Sequence, residues 1–294
     1  MTLFPGFERR QIAVSDTTIN LVTAGSGPAL LLLHGFPQTH TLWHAVAPRL
    51  AKHFTVVAPD LRGYGDSGQP ASTPDHAAHS KRAMARDMLD VMISLGHQRF
   101  MVAGHDRGGR VTHRLLLDYG HHVHRAAVLD ICPTLTTFEH MTTGLAFAYY
   151  HWFFLSQPAD LPERLIGADP DYYLMKKITN WSSGFSQFHP DALAEYKRCY
   201  SKPEVIHASC EDYRAAVTID LEHDRADLGR KVEPPLLVLW GEKATMHKHF
   251  DVLQTWRERA EDVRGRALPC GHYLPEEQPD AVYEEFMMFF GAMA

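Results

Sequence analysis

The stretch VAGHDRGGR, residues 102–110, has the outline of a strand running into a tight turn and then a helix. Val102 and Ala103 end an apolar run, Gly104, Gly108 and Gly109 put small residues around the turn, and RVTHRLLLDYG from Arg110 onward has amphipathic helical spacing. The spacing is that of a nucleophile elbow, a strained strand-to-helix turn that usually carries serine in G-x-S-x-G. Here the central residue is Asp106, with Arg107 and Arg110 beside it, and no G-x-S-x-G occurs elsewhere in the chain.

Outward from this turn, apolar runs alternate with helical patterns, the signature of an α/β domain built on a mostly parallel sheet. ALLLLHG (29–35), HFTVVAPD (53–60), RFMVAGHD (99–106), RAAVLDICP (125–133) and PLLVLWGE (235–242) read as strands covered on both faces. VRGRALPCG (263–271) is a weaker copy. SKRAMARDMLDVMISLG (80–96) and the final AVYEEFMMFFGAMA read as helices. From about Thr134 to Val232 no buried strand is expected, only aromatic-rich helical stretches, a span far longer than one crossover needs. The chain is therefore divided into core residues 1–133, an inserted helical cap at 134–232, and core residues 233–294. The cap is expected over the carboxyl ends of the strands, where open α/β sheets bind ligands.

An aspartate at the elbow changes the chemistry. Its carboxylate, with a pKa of about 4, is ionised at neutral pH without help from a base. It can displace a leaving group from a saturated carbon, giving an alkyl ester that water then cleaves at the aspartyl carbonyl. A serine attacking the same carbon would be trapped as an ether. Asp106 therefore points to substitution at sp³ carbon, such as carbon–halogen cleavage or epoxide opening.

The second step needs a base, and LPCGHYLPEEQP (268–279) supplies His272 after the last strand, where the elbow architecture places it in chain order. Asp130, at the end of AAVLD, is the expected orienting acid; Glu242 after LLVLWG is the alternative. The backbone N–H groups of Phe36, in HGFP, and of Arg107 are the expected oxyanion hole. Phe36-Pro37 is a candidate cis peptide.

Composition narrows the field. A net charge of −6 with no basic block argues against a nucleic-acid partner. MTLFPGFERRQIAV lacks an apolar leader core and ALLLLHG is too short to cross a bilayer, so no membrane partner is expected. Four scattered cysteines without a C-x-x-C pair suggest reduced thiols and a cytoplasmic location. The histidine clusters GHHVHR (120–125) and MHKHF (246–250) lack metal-ligand spacing, so they are read as surface residues, with no metal and no cofactor expected.

HGFP, DLRGYGDS (60–67), GHDRGGR, LDICPT (129–134) and GHYLPEEQP together resemble the epoxide hydrolase and dehalogenase branch of the α/β-hydrolases, over essentially the whole chain. Arg107 with Arg110, YYHWFFLSQP (149–158) and EDYRAA (211–216) are similar to the fluoroacetate (haloacetate) dehalogenases within it. That resemblance implies an α/β-hydrolase fold and hydrolysis of fluoroacetate to glycolate and fluoride. It implies that Arg107 and Arg110 bind the substrate carboxylate, and that His151, Trp152 and Tyr213 hold the leaving halide. Trp181 in TNWSSG resembles a pocket tryptophan of the family, and the family implies a homodimer. Three donors converging on a small, strongly accepting fluoride suit a poor leaving group.

Two rivals stay open. An epoxide hydrolase would use the same Asp106–His272–Asp130 triad, with Tyr149, Tyr150 and Tyr213 as candidate acids, although a neutral epoxide gives two arginines nothing to hold. A ligand receptor on the same fold would tolerate loss of a triad member, and none is missing. A haloalkane dehalogenase would usually carry Trp and Asn where Arg107 and Phe36 stand.

Overall fold

The computed structural model describes residues 3–184 and 187–291. Its strands are β1 (Glu8–Ala13), β2 (Thr18–Ala24), β3 (Ala29–Leu33), β4 (Thr55–Pro59), β5 (Phe100–His105), β6 (Val123–Leu129), β7 (Leu236–Gly241) and β8 (Val263–Leu268). They form one sheet in the order β1-β2-β4-β3-β5-β6-β7-β8. From β4 to β8 every pairing is parallel, whereas β1 with β2 and β2 with β4 are antiparallel.

The parallel strands are apolar at consecutive positions because both faces are covered. In β3, Leu31 and Leu33 enter one core while Leu30 and Leu32 enter the other. The first core includes Met84, Met88, Val111 and Leu115 from the helices Lys81–Ser94 and Arg107–Tyr119. The second is closed by Trp43 and Leu50 and by Val282, Phe286 and Phe290 of the helix Pro279–Phe290. The expected strands all form. The β1–β2 hairpin was not anticipated: ERRQIA of β1 is polar and mostly exposed, so it carries no buried face to read.

The helix expected from Arg110 starts three residues earlier, at Arg107. Lys81–Ser94 is capped by Ser80, whose Oγ accepts the Ala83 N–H (3.2 Å). The final helix ends at Phe290, and the expected residues 292–294 lie outside the described residues. Between β6 and β7 a run of helices extends from Thr134–Glu139 to Ile219–Ala226, with no strand among the described residues. No helix there or elsewhere among the described residues is long and apolar enough to cross a membrane.

The elbow sits in the middle of the sheet, between β5 and the helix packed on it. A Cβ at Gly104 would overlap the Gly108 carbonyl oxygen and the Thr112 hydroxyl, so the strand and helix approach to a distance only glycine permits. Gly104→Ala should lower stability by about 1–3 kcal/mol through overpacking at a site with no slack. The urea midpoint at constant m-value measures it; an unchanged midpoint would show that the helix can shift away.

Candidate active site

Asp106 follows β5 directly, with φ +48° and ψ −115°, a conformation costly for a residue with a Cβ. That twist throws the carboxylate out of the strand and above the first turn of the helix Arg107–Tyr119. Gly35 clears the space, since a Cβ there would collide with Asp106. The Phe36 N–H donates to Asp106 Oδ1 (2.9 Å), and the Phe36–Pro37 peptide is cis. The Arg107 amide, the other expected oxyanion donor, makes no hydrogen bond to the carboxylate among the described residues. Burial opposes ionisation of Asp106, but the positive charge of His272 and of the two neighbouring guanidiniums outweighs it and holds the carboxyl below its usual range.

His272 stands on the loop after β8. Its Nδ1 lies 2.6 Å from Asp130 Oδ2, and Asp130 Oδ1 accepts the Gly241 N–H (3.0 Å). Asp130 leaves β6 with φ +51°, which turns its side chain toward the histidine. The other imidazole nitrogen, Nε2, is 3.7 Å from Asp106 Oδ2 and has no hydrogen-bond partner among the described residues. With Nδ1 held by Asp130, Nε2 is the ring nitrogen that faces the elbow. Burial pulls the imidazole pKa down; the bond and charge of Asp130 outweigh it, with a smaller contribution from Asp106, and raise it. Glu242, the alternative acid, is exposed.

The two arginines are buried on one side of this pair. Arg107 donates from Nε to Asp212 Oδ2 (2.9 Å) and from Nη2 to Asp212 Oδ1 (2.5 Å) and the Asp212 carbonyl (2.9 Å). Its Nη1 is buried without a partner. Arg110 spends Nη1 on the Cys132 carbonyl (3.1 Å) and Thr134 Oγ1 (2.9 Å), leaving Nε buried and unpartnered. Tyr64 Oη (2.7 Å) and Lys81 Nζ also bond Asp212, so its charge is fully answered.

The helical run supplies the roof. His151 and Trp152 lie on the helix Tyr150–Leu155, and Tyr213 on Pro203–Val217. His151 stacks on Phe36 (6.3 Å, 8°) and meets Trp181 at 4.6 Å and Tyr213 at 5.6 Å between ring centroids. Trp181 also reaches His272 at 5.4 Å. Trp152 lies under the Arg110 guanidinium (4.6 Å), and the Tyr213 ring under Arg107 (4.2 Å). His151 Nδ1 and Tyr213 Oη are buried without partners. Burial drives the His151 pKa far down and the Tyr213 pKa far up, so one remains a neutral imidazole and the other a protonated phenol.

A pocket opens on this cluster. Asp106, Asp130 and His272 line its floor, Tyr149, His151 and Trp181 its walls, and Lys243 and Lys248 its mouth. Arg107, Arg110, Trp152 and Tyr213 are not among its lining residues, but Tyr213 and Trp152 pack directly on two that are, His151 (5.6 Å) and Tyr149 (5.4 Å). The mouth lysines, Tyr149 as a wall and Asp212 as the arginine's partner were missed in the sequence. Asp212 adjoins Tyr213 in EDYRAA, but nothing in that stretch marks it as buried. Away from the pocket, Asp66, Glu195 and Cys199 bring possible metal-ligand atoms together, but Arg198 (2.6 Å) and Lys202 (2.7 Å) already pair with Asp66.

Residues 28–279 match the family described as alpha/beta hydrolase fold. The chain is 50% identical to a fluoroacetate dehalogenase of Burkholderia sp. over 95% of its own length and 92% of that protein. It is 36% identical to a soluble epoxide hydrolase of Corynebacterium sp. (strain C12), over 96% of this chain and 97% of the relative. A solved structure from Nostoc sp. PCC 7120 is 58% identical, superposes with a TM-score of 0.96, and covers 97% of this chain and 98% of its own.

Beside the histidine loop, Glu276 is buried, accepting from Gln38 Nε2 (2.6 Å) and Tyr196 Oη (3.0 Å). Burial pushes its carboxyl up to about 8, against the pull of those two donors. A carboxyl with a raised folded pKa holds its proton more tightly in the native state. The stability it contributes is complete below the unfolded pKa and drains away as pH rises toward 8. Glu276→Gln should therefore flatten the fall in stability between pH 5 and 8 by about 1 kcal/mol per pH unit. Denaturant titrations across that range test it, and parallel curves for the two proteins would refute it.

Proposed function

Because the chain belongs to the α/β-hydrolase fold family, we propose that it is a haloacetate dehalogenase whose nucleophile is Asp106. The observation that carries this reading is the pair of buried, unpartnered guanidinium nitrogens, Arg107 Nη1 and Arg110 Nε, beside an elbow carboxylate. A fully buried N–H without an acceptor is costly, and a substrate carboxylate answers both. An epoxide would leave them unanswered, which favours the haloacid over the epoxide hydrolase reading. The 50% identity to a fluoroacetate dehalogenase supports the same choice.

In the proposed reaction the substrate carboxylate rests on Arg107 and Arg110, with its α-carbon before Asp106. Asp106 attacks that carbon as the carbon–halogen bond breaks, and the electron pair leaves with the halide. His151 N–H, Trp152 N–H and Tyr213 O–H take up the developing charge. The product is an ester of Asp106 with the glycolyl carbon. Ester formation removes the Asp106 charge, one of the influences that raise the His272 pKa, so the imidazole becomes free to accept a proton. Water between Nε2 and the ester loses a proton to His272 and attacks the aspartyl carbonyl. The Phe36 and Arg107 amides hold the oxyanion and Asp130 stabilises the imidazolium. As the intermediate collapses, His272 returns its proton to the departing alkoxide oxygen, glycolate leaves, and the Asp106 carboxyl is restored and ionises. Trp181 forms a wall against bulk water.

The finer organisation is part of the same proposal. Residues 134–232 form the cap between core segments 1–133 and 233–294. Exposed Phe147, Phe153, Leu161, Leu165 and Tyr172 in the cap suit a homodimer contact. Four buried free thiols fit a cytoplasmic enzyme.

Halide release from fluoroacetate, chloroacetate and a neutral epoxide, assayed side by side, tests the substrate class. The mechanism is tested by single-turnover hydrolysis in ¹⁸O water with enzyme in excess: label should enter the Asp106 carboxylate. Label found only in glycolate would mean that water attacks the substrate directly.

Tyr213→Phe should slow first-turnover fluoride release by a larger factor than chloride release, with about tenfold for each 1.4 kcal/mol of lost transition-state stabilisation. Fluoride concentrates its charge and gains more from a donor that tightens as the bond breaks. Equal factors for both halides would reduce Tyr213 to a packing role.

A further inference from the structure

Glu277 closes the short helix Leu274–Glu277, five residues beyond His272, and is 4% exposed. No part of the reaction above uses it. Its Oε2 accepts the Gly271 N–H (2.9 Å) and its Oε1 the Tyr273 N–H (2.9 Å), the amides on either side of His272. The same Oε2 accepts the N–H (2.8 Å) and the O–H (2.5 Å) of Ser183, which lies in the cap. One buried carboxylate thus takes four hydrogen bonds from two segments, one 94 residues away in the chain and the other four to six residues away.

The remaining backbone groups of the histidine close the arrangement. The His272 N–H donates to the Trp181 carbonyl (2.8 Å), and the His272 carbonyl lies 2.8 Å from His105 Nε2. A Cβ at Gly271 would stand 2.5 Å from the Trp181 carbonyl oxygen and 2.6 Å from the Ser183 nitrogen, so the loop and the cap segment 181–183 touch at backbone distance. Asp130 fixes which way the imidazole ring faces; it does not fix where the loop puts the Cα. Gly271 has no side chain to anchor the loop, and the amides that flank His272 are held by Glu277.

We propose that Glu277 is a positioning residue for His272: its carboxylate holds the two flanking amides so that Nε2 faces the Asp106 carbonyl, and it docks the Trp181 wall through Ser183. The inference rests on the reading that Asp106 forms an ester which His272-activated water cleaves. Charge-assisted bonds to four donors are strong enough for this task, and an amide in place of the carboxylate must turn an NH₂ group toward at least one N–H donor.

A positioning role for His272 has a signature that a general loss of structure lacks, because His272 acts after halide has left. Glu277→Gln is compared with wild type and with His272→Asn by rapid-quench halide release from chloroacetate and by intact-protein mass. Glu277→Gln should release one halide per site at close to the wild-type first-turnover rate and then turn over about 10- to 100-fold more slowly, with the ester visible by mass. A first-turnover rate that falls by the same factor as steady turnover, with no ester, overturns the proposal. Should Glu277→Gln not fold, Ser183→Ala removes one of the four bonds. It should slow ester hydrolysis alone by about threefold; no effect, or an equal effect on both steps, counts against Glu277. Failure of the underlying reading looks different: His272→Asn would then accumulate no ester, which overturns both. An ester in His272→Asn without one in Glu277→Gln overturns this inference only.

Discussion

Everything in the site hangs from a backbone conformation that a residue with a side chain adopts at a cost. Asp106 at φ +48° would relax if the chain around it allowed, and a strain of about 1–3 kcal/mol is typical of such positions. It is not allowed to relax because β5 lies at the centre of the sheet, paired on both sides by β3 and β6, and the helix behind it is pressed onto Gly104. Burial of apolar residues on both sheet faces supplies the free energy that holds the turn. The outcome is a carboxylate carried on rigid elements, one oxygen already bonded to the Phe36 amide, the other facing an imidazole.

The interior around that carboxylate and beyond it holds several buried charges, most of them paired with an opposite one. Asp212 meets Arg107, Lys81 and Tyr64; Asp130 meets His272; Arg62 meets Asp87 at 2.5 Å. Isolated, any one of these would carry a desolvation cost of several kcal/mol. Among the buried polar atoms left without partners are five on residues of the elbow and its surround: Arg107 Nη1, Arg110 Nε, His151 Nδ1, Tyr213 Oη and His272 Nε2. These orphans cluster around the elbow. Others, such as Trp43 Nε1, the His79 ring nitrogens and His223 Nδ1, belong to residues that do not line the pocket; the group at the elbow is the one a ligand there can relieve.

How far this could be read in the sequence depends on whether a residue acts through local chain geometry or through a distant partner. The parallel strands were legible because coverage on both faces demands continuous apolar runs, and Asp106, Asp130 and His272 were legible because strand ends in this architecture are the places where side chains can meet. The β1–β2 hairpin was not, since Glu8, Arg9, Arg10 and Gln11 are exposed edge residues with no pattern to impose. Asp212 and Glu277 were passed over for another reason. Their roles are defined by Arg107 and Ser183, far away in the chain, and nothing in EDYRAA or LPEEQP distinguishes a buried acid from a solvated one.

The cap is inserted as a single stretch of chain, which suggests a part that could be exchanged as a cassette. The bonds across its inner edge say otherwise. Trp181 lends its carbonyl to the amide of His272, Ser183 gives two hydrogen bonds to Glu277, and Gly271 is bare of side chain so that these segments can meet. Covalently the cap ends where the core resumes; energetically it extends into the loop after β8. A chimera that borrows a cap from a relative would inherit a foreign strand of backbone against its own histidine. Descent with modification in this fold would then be expected to change residues 181–183 and 271–277 together, as one inherited unit split in two by the sequence.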